Sequence, residues 1–402
     1  MSNQTFIDDL FTLTLDELQA KYMKPKNQSS LKELRRYYRK KHNMERQPDP
    51  VEPGRLSKTW EVSAFDRVTN EWTTKLNHGY EHTADPSDCF QAVAAKITPS
   101  RRKPVKRDYE GIFVFSDPQI GYRNILNRET GQYEHLPIHD ERKMATARQI
   151  ANFIRPNIIV NLGDTIDLAE GSHFDPDSDH FNNGTFEHSL QTVHDMFAGY
   201  RSDHPDAEIV EVSSNHNERF NKMVLKKFPV GYNVRRASDE SKYPVLSYAY
   251  MANLEHVGVN FIEGYPVGEL LIQRIGRASL RFAHGTETSS GMSSAASKTM
   301  KSHPETNNFQ GHDHKDSEAW HTLMNGEQVG SWVVGALCDS LGLVPGRNSA
   351  VTSSGEPVRY QQNWTSSVLN IRLYKTGAME VDRIMINGDG TAHYNENEFG
   401  GE

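Results

Sequence analysis

The chain has 402 residues, 36 % of them hydrophobic, and a formal net charge of -8 at neutral pH, enough length for one large domain with an appendage or for two domains. The acidic balance excludes a protein that coats nucleic acid with its whole surface, and no apolar run reaches the ~18 residues of a membrane span. With no basic-then-apolar signal at the N-terminus and only two distant cysteines, Cys89 and Cys338, the chain reads as cytoplasmic and free of disulfides.

Residues 1–50 read as a basic helical module. TLDELQAKY and SSLKELRRYYRKKH both open on cap candidates, and Leu31, Leu34 and Tyr38 share one helical face. From Lys21 to Arg46 ten Lys and Arg residues stand against Glu33 and Glu45 alone. Residues 51–107 follow as a linker, PDPVEPG, and a small hairpin in WEVSAFDRVTNEWTTKL that turns at Thr69–Asn70, ending in the basic run RRKPVKR.

Residues 108–402 change rhythm. GIFVFSD (111–117) and NIIVNLGD (157–164) are short apolar runs that end in a carboxylate. Between them Met144, Ala147, Ile150, Ala151 and Ile154 have helical spacing, as do Phe186, Leu190, Val193 and Phe197 further on. EIVEVSSNHNER (208–219) reads as a strand followed by a polar loop. The alternation predicts an α/β domain with a largely parallel inner sheet. Beyond 258 the segments VNFIEG, ELLIQRIG, ASLRFAHG, NFQGHDH, GSWVVGAL, SSVLNIRLY and AMEVDRIMI predict strands, with turns at Ile275–Gly276–Arg277 and Lys375–Thr376–Gly377. Two packed sheets flanked by helices follow from that division.

Metal-ligating side chains recur where apolar runs end: Asp117 and Gln119 in FSDPQIG, Asp164 and Asp167 in NLGDTID, Asn215 and His216 in SSNHNER, His284 in RFAHG, and His312 and His314 in QGHDH. Strand ends are where open α/β sheets build ligand sites. Asp117, Gln119 and His314 suffice for one ion, Asn215, His284 and His312 for a second, and Asp164 for a bridge. Oxygen and nitrogen donors without thiolate suit Mn²⁺ first, and Mg²⁺, Fe²⁺ or Zn²⁺. Two such ions ~3.5–4 Å apart share a hydroxide and clamp a phosphoryl group. His216 is then placed to protonate the leaving oxygen, with Asp167 orienting it.

The order of these blocks, GD-x-x-D, NH, H and GH-x-H after a first Asp, resembles the calcineurin-like metallophosphoesterase superfamily over residues 111 to about 385. The resemblance implies a four-layer α/β/β/α sandwich and the two-metal roles given above. The chain departs from the family pattern at Gln119, where the family has His, at Ser214, where it has Gly, and at Asn217, where it has Asp or Glu. Ser213–Ser214 and Leu168 stand where protein phosphatases of the superfamily carry Arg, which counts against that activity.

The N-terminal basic residues, Arg35, Arg36, Arg39, Lys40 and Lys41 above all, suit a helix-turn-helix-like grip on phosphates. They point to a nucleic acid, foremost DNA, as partner, and so to the nuclease or exonuclease branch; the combination resembles phage-borne members, which would act in the host cytoplasm. A cyclic-nucleotide phosphodiesterase with a regulatory arm is the first alternative. A nucleic-acid-binding protein with a decayed catalytic domain, supported by Gln119, is the second. His173, His180, His188 and His194 fall in the polar insertion 171–184 or on a helix face and read as solvated.

Overall fold

The computed structural model describes residues 56–66, 71–80, 91–100, 107–127, 130–171, 185–235, 241–289, 294–339 and 363–400. The expected helical module of 1–50, with Arg35, Arg36, Arg39, Lys40 and Lys41, lies outside the described residues, as do His173 and His180. The chain divides into two compact units, Met1–Ser87 and Asp88–Glu402. In the first, strands β1 (Leu56–Asp66) and β2 (Glu71–Tyr80) pair antiparallel, with Asp66 opposite Glu71 at the closed end.

In the second unit, β3 (Tyr109–Phe115), β6 (Ile158–Asn161), β7 (Glu208–Val212) and β8 (Val259–Ile262) lie side by side and parallel. On the other flank of β3 an antiparallel meander follows: β14 (Ser366–Tyr374), β15 (Met379–Ile386), β16 (Ala392–Tyr394) and β17 (Asn397–Phe399). The eight-stranded sheet is therefore mixed, half parallel and half antiparallel, where the sequence suggested a largely parallel one. The cause is that the C-terminal hairpins close onto β3 instead of forming a sheet of their own.

The second sheet has five strands in the order β12 (Ser317–Thr322), β13 (Gln328–Val333), β11 (Asn307–Gln310), β10 (Arg277–Ala283) and β9 (Glu269–Arg274). Its inner strands β10, β11 and β13 are parallel to one another. A small hairpin, β4 (Tyr122–Leu126) with β5 (Tyr133–Pro137), leaves the chain just after Gln119.

Alternation along β3 explains the packing. Phe113 and Phe115 point to one face, where they meet Ala147, Ile150 and Ile154 of helix α1 (Glu141–Ile154) and Leu190, Val193 and Phe197 of helix α2 (Thr185–Asp203). Ile112 and Val114 point to the opposite face, against Leu280, Phe282, Phe309 and Trp332 of the five-stranded sheet. There the Phe309 ring stacks between Phe282 and Trp332, each 4.8 Å away. Removing such a ring costs about 3–5 kcal/mol.

Helix α1 is capped by the Asp140 carboxylate, which accepts from the Arg142 and Lys143 amides, while the Arg107 guanidinium donates to the free carbonyls of Ile154 and Arg155 at its other end. Helix α3 (Asn215–Lys227) begins directly after β7, a short α4 (Tyr248–Met251) precedes β8, and α5 (Ser294–Ser302) sets Ala295 and Ala296 against Val333 of the second sheet. Segment 91–100, expected in the linker, runs along α2, where Ala95 N–H donates to His194 Nε2 at 3.0 Å. No helix of the described residues is long and apolar enough to cross a membrane.

Candidate metal centre

The parallel strands of both sheets end at one edge, and backbone hydrogen bonds bind the exits together. Asp117 N donates to Gly163 O (3.1 Å), Gln119 N to Asp164 O (2.9 Å), Gly311 N to His284 O (3.1 Å) and Leu337 N to Ser116 O (3.1 Å). The last two of these bonds tie the second sheet together and then lock it to β3.

Two groups of ligand atoms form there, each within 4.8 Å of one another: Asp164, His284 and His312, and Asp117, Asp164 and His314. Asp164 belongs to both. Asn215 and Gln119 join them, with Asn215 Oδ1 2.8 Å from His284 Nε2 and Gln119 Nε2 3.0 Å from His314 Nε2. The structure thus brings all seven sequence-predicted ligands to one place. His216 Nε2 lies 3.4 Å from Asp164 Oδ2, and its Nδ1 lies 3.8 Å from Asp167 Oδ1, too long for a hydrogen bond but close enough for charge to act.

The electrostatics show what the cluster lacks. Burial pushes both central carboxyls up, yet His314 holds Asp117 below the ordinary range, and His216 with His284 hold Asp164 well below it. Against burial, the Asp164 charge raises His284 to about 9, while burial drives His216 and His312 down to about 4. Among the described residues no Lys or Arg pairs with Asp117 or Asp164; their close partners are imidazoles, of which His284 is the one whose pKa is raised.

A divalent cation fits this donor set. It would replace the proton on His284 Nε2, while His284 Nδ1, 2.8 Å from the Leu162 carbonyl, keeps its proton and fixes the ring. That outer hydrogen bond is the arrangement metal-bound histidines use. Gln119 Oε1 and His314 Nδ1 are buried without a hydrogen-bond partner, and an orphaned buried oxygen suits a cation.

The backbone is bent to make this cluster. Asp117, Gln119, Asp164, His312 and His314 all have φ between 48° and 70°, a left-handed region that costs non-glycine residues about 1–3 kcal/mol each. Glycines make room beside them. A Cβ on Gly163 (φ 97°) would sit 2.7 Å from Val212 O, and one on Gly311 would run into Ser116 Oγ and the Asp117 carboxylate. The GD and GH-x-H glycines are thus steric requirements.

Asn215 is held by a helix start, where the sequence suggested a polar loop. Ser214 caps α3: its hydroxyl accepts from Asn217 N, and Asn217 Oδ1 takes the Ser214 N–H at 3.0 Å. Ser214 and Asn217, two departures from the family pattern, together form a capping box.

Several residues of the site escaped the sequence reading. Between His312 and His314, Asp313 turns away, accepts from Ser289 N (2.9 Å) and Ser289 Oγ (3.0 Å), and lies 3.5 Å from Lys315 Nζ. Glu211 is buried behind Asp164, accepts from Thr165 Oγ1 (2.5 Å) and Tyr248 OH (2.9 Å), and is pushed by burial up to about 8. A carboxylate inside the apolar run EIVEV was the available signal. Tyr265 and Trp364 rest on His284 and His314. His194 is wholly buried, with Nδ1 donating to Ala252 O at 3.0 Å, so it is a structural histidine and not a solvated one. His188 is exposed but packs on Tyr122 and His135.

No protein-family model matches the chain, and no curated protein does. Among solved structures, a dimetal phosphatase from Danio rerio aligns over 69 % of this chain and 99 % of its own, at 11 % identity and a TM-score of 0.29. A likeness of that degree leaves function to the geometry of the site.

Proposed function

We propose that this chain is a two-metal phosphodiesterase of the calcineurin-like type, acting on nucleic acid and foremost on DNA. One observation carries the reading: side chains from four separate strand ends meet in two groups that share Asp164, and Asn215 joins them from a fifth. Asp117, Gln119 and His314 would hold one divalent ion and Asn215, His284 and His312 the other, with Asp164 between them. The ions, manganese foremost, supply positive charge for the phosphoryl oxygens and an acidified water. The four-layer α/β/β/α sandwich belongs to the same reading, with α1 and α2 outside one sheet and α5 outside the other.

The chain's own groups divide the remaining work. His216, close to Asp164, offers its proton from Nε2 to the leaving oxygen. Burial keeps that imidazole neutral at about 4, so the negative charge of an arriving ester is needed to raise it. Asp167 faces the opposite ring nitrogen and biases it the same way. The N-terminal arginines and lysines supply the motive for DNA over small diesters.

The test is a substrate panel with manganese: single- and double-stranded DNA, RNA, cyclic nucleotides and phosphomonoesters. DNA hydrolysis is expected, falling in Asp164→Asn by more than the roughly 10–100-fold that outer-shell changes cost. Turnover of cyclic nucleotides alone would sink the nucleic-acid reading, and unchanged digestion in Asp164→Asn would sink the metal site.

A further inference from the structure

Helix α3 carries four cations, Arg219, Lys222, Lys226 and Lys227, against one carboxylate, Glu218, in a chain whose net charge is -8. Its buried side is fixed by Phe220 and Val224, which pack in the core. Arg219, Lys222 and Lys226 fall at i, i+3 and i+7 on another face, so they line up along the helix. Lys222 and Lys226 are exposed, and Arg219 is half-buried.

Stability does not account for this line. Cations in the last turn answer the helix dipole, which explains Lys226 and Lys227. Arg219 and Lys222 stand too far from that end to gain from it. Glu218 sits four residues before Lys222, the spacing of a helical ion pair, yet it accepts from Asn221 Nδ2 at 3.1 Å instead. Among the described residues none of Arg219, Lys222 and Lys226 pairs with a carboxylate.

The line also starts at the metal centre. Asn215 opens α3, and four residues on, Arg219 Nη1 donates to Asp167 O at 3.2 Å. Burial and, behind it, the Arg219 charge hold the His216 imidazole down, so the guanidinium is within electrostatic reach of the proton donor. From Arg219 to Lys226 the helix rises about 10 Å, a length over which one strand of a helical nucleic acid presents about three phosphates.

We infer that Arg219, Lys222 and Lys226 form a track that grips successive phosphates of one nucleic-acid strand as it leaves the metal centre. The inference rests on the nucleic-acid reading and adds a contact surface within Asp88–Glu402, apart from the N-terminal arginines and lysines. It narrows the substrate to strands that extend several nucleotides beyond the scissile phosphate. Contacts to the backbone hold a strand without reading its bases.

The test measures binding of phosphorothioate-linked oligothymidylates, which resist hydrolysis, to the manganese-loaded full chain by fluorescence anisotropy. A dodecamer should bind more tightly than a dinucleotide. Lys222→Gln and Lys226→Gln should each weaken the dodecamer and lower the slope of log affinity against log salt by about 0.7. Dinucleotide affinity and manganese content should stay the same. Lys375→Gln, at the β14–β15 turn away from the ligands, is the control and should change neither oligonucleotide. Equal loss from Lys375→Gln would reduce the effect to net charge and overturn the inference, as would dodecamer binding indifferent to both lysine variants of α3. Phosphatidylserine vesicles whose binding falls in those variants while dodecamer binding holds would overturn it in favour of a lipid surface. Lysine-dependent dodecamer binding without hydrolysis of any DNA would overturn the catalytic reading and leave the track standing.

Discussion

The two ends of the sheets reverse the chain in opposite ways. At the end away from the ligands, the hairpin turns β9–β10 and β14–β15 place glycine where φ is positive, Gly276 at 64° and Gly377 at 79°. Glycine adopts that region without steric cost. At the ligand end positive φ falls on Asp117, Gln119, Asp164, His312 and His314 as well as on glycines such as Gly163 and Gly285. Here strain is retained in residues whose side chains the site needs, and glycines sit beside them to make room. Local conformation is thus settled by stability at one end and by ligand placement at the other.

Substitutions at the two ends should separate these rules. The largest effect is expected from Gly311→Ala, whose added methyl collides with Ser116 and the Asp117 carboxylate. Hydrolysis and bound manganese should both fall by about tenfold or more. Gly276→Ala at the other end meets no neighbour; it should lower stability by only about 1 kcal/mol and leave activity intact. Equal losses at both positions would erase the contrast.

A smaller effect is expected from Glu211→Gln. The folded-state pKa of about 8 lies above the ordinary 4.5, so the folded protein keeps a proton that the unfolded chain gives up. The stabilisation is fully present below about 4.5 and is lost as pH rises through about 8. Thermal melts from pH 5 to 9 should show the unaltered protein losing on the order of a few kcal/mol relative to Glu211→Gln; parallel curves would place the carboxylate in a wetter environment. Smallest of all, His312→Gly in metal-free protein should relieve its backbone (φ 70°) and raise the melting temperature slightly, by no more than about 1–2 kcal/mol of stability. A drop there would show that His312 packing outweighs its strain.

What could be read from sequence was whatever is local. GIFVFSD and NIIVNLGD end in carboxylates because a buried parallel strand is apolar until it releases the chain at the sheet edge. The turns at Gly276 and Gly377 carry their own punctuation. The helix opening at Asn215 was missed because its cap pairs Ser214 with Asn217 rather than with an acidic residue. The hairpin Tyr122–Pro137 was missed because YRNIL and YEHLP lack clean alternation, and α5 because SAASKTMKS presents mostly small residues. His194 needed the Ala95 and Ala252 backbones, about a hundred and nearly sixty positions away, and no local window contains such partners. Tyr265 and Trp364 likewise become visible only once distant loops are folded together.

The box that begins α3 bears on which residues next to Asn215 are free to vary. Serine with asparagine meets the same hydrogen-bonding need at that helix start as other polar pairs would, so the two positions are exchangeable while Asn215 between them stays put. The helix start can therefore be capped by more than one polar pair without moving the Asn215 side chain between them.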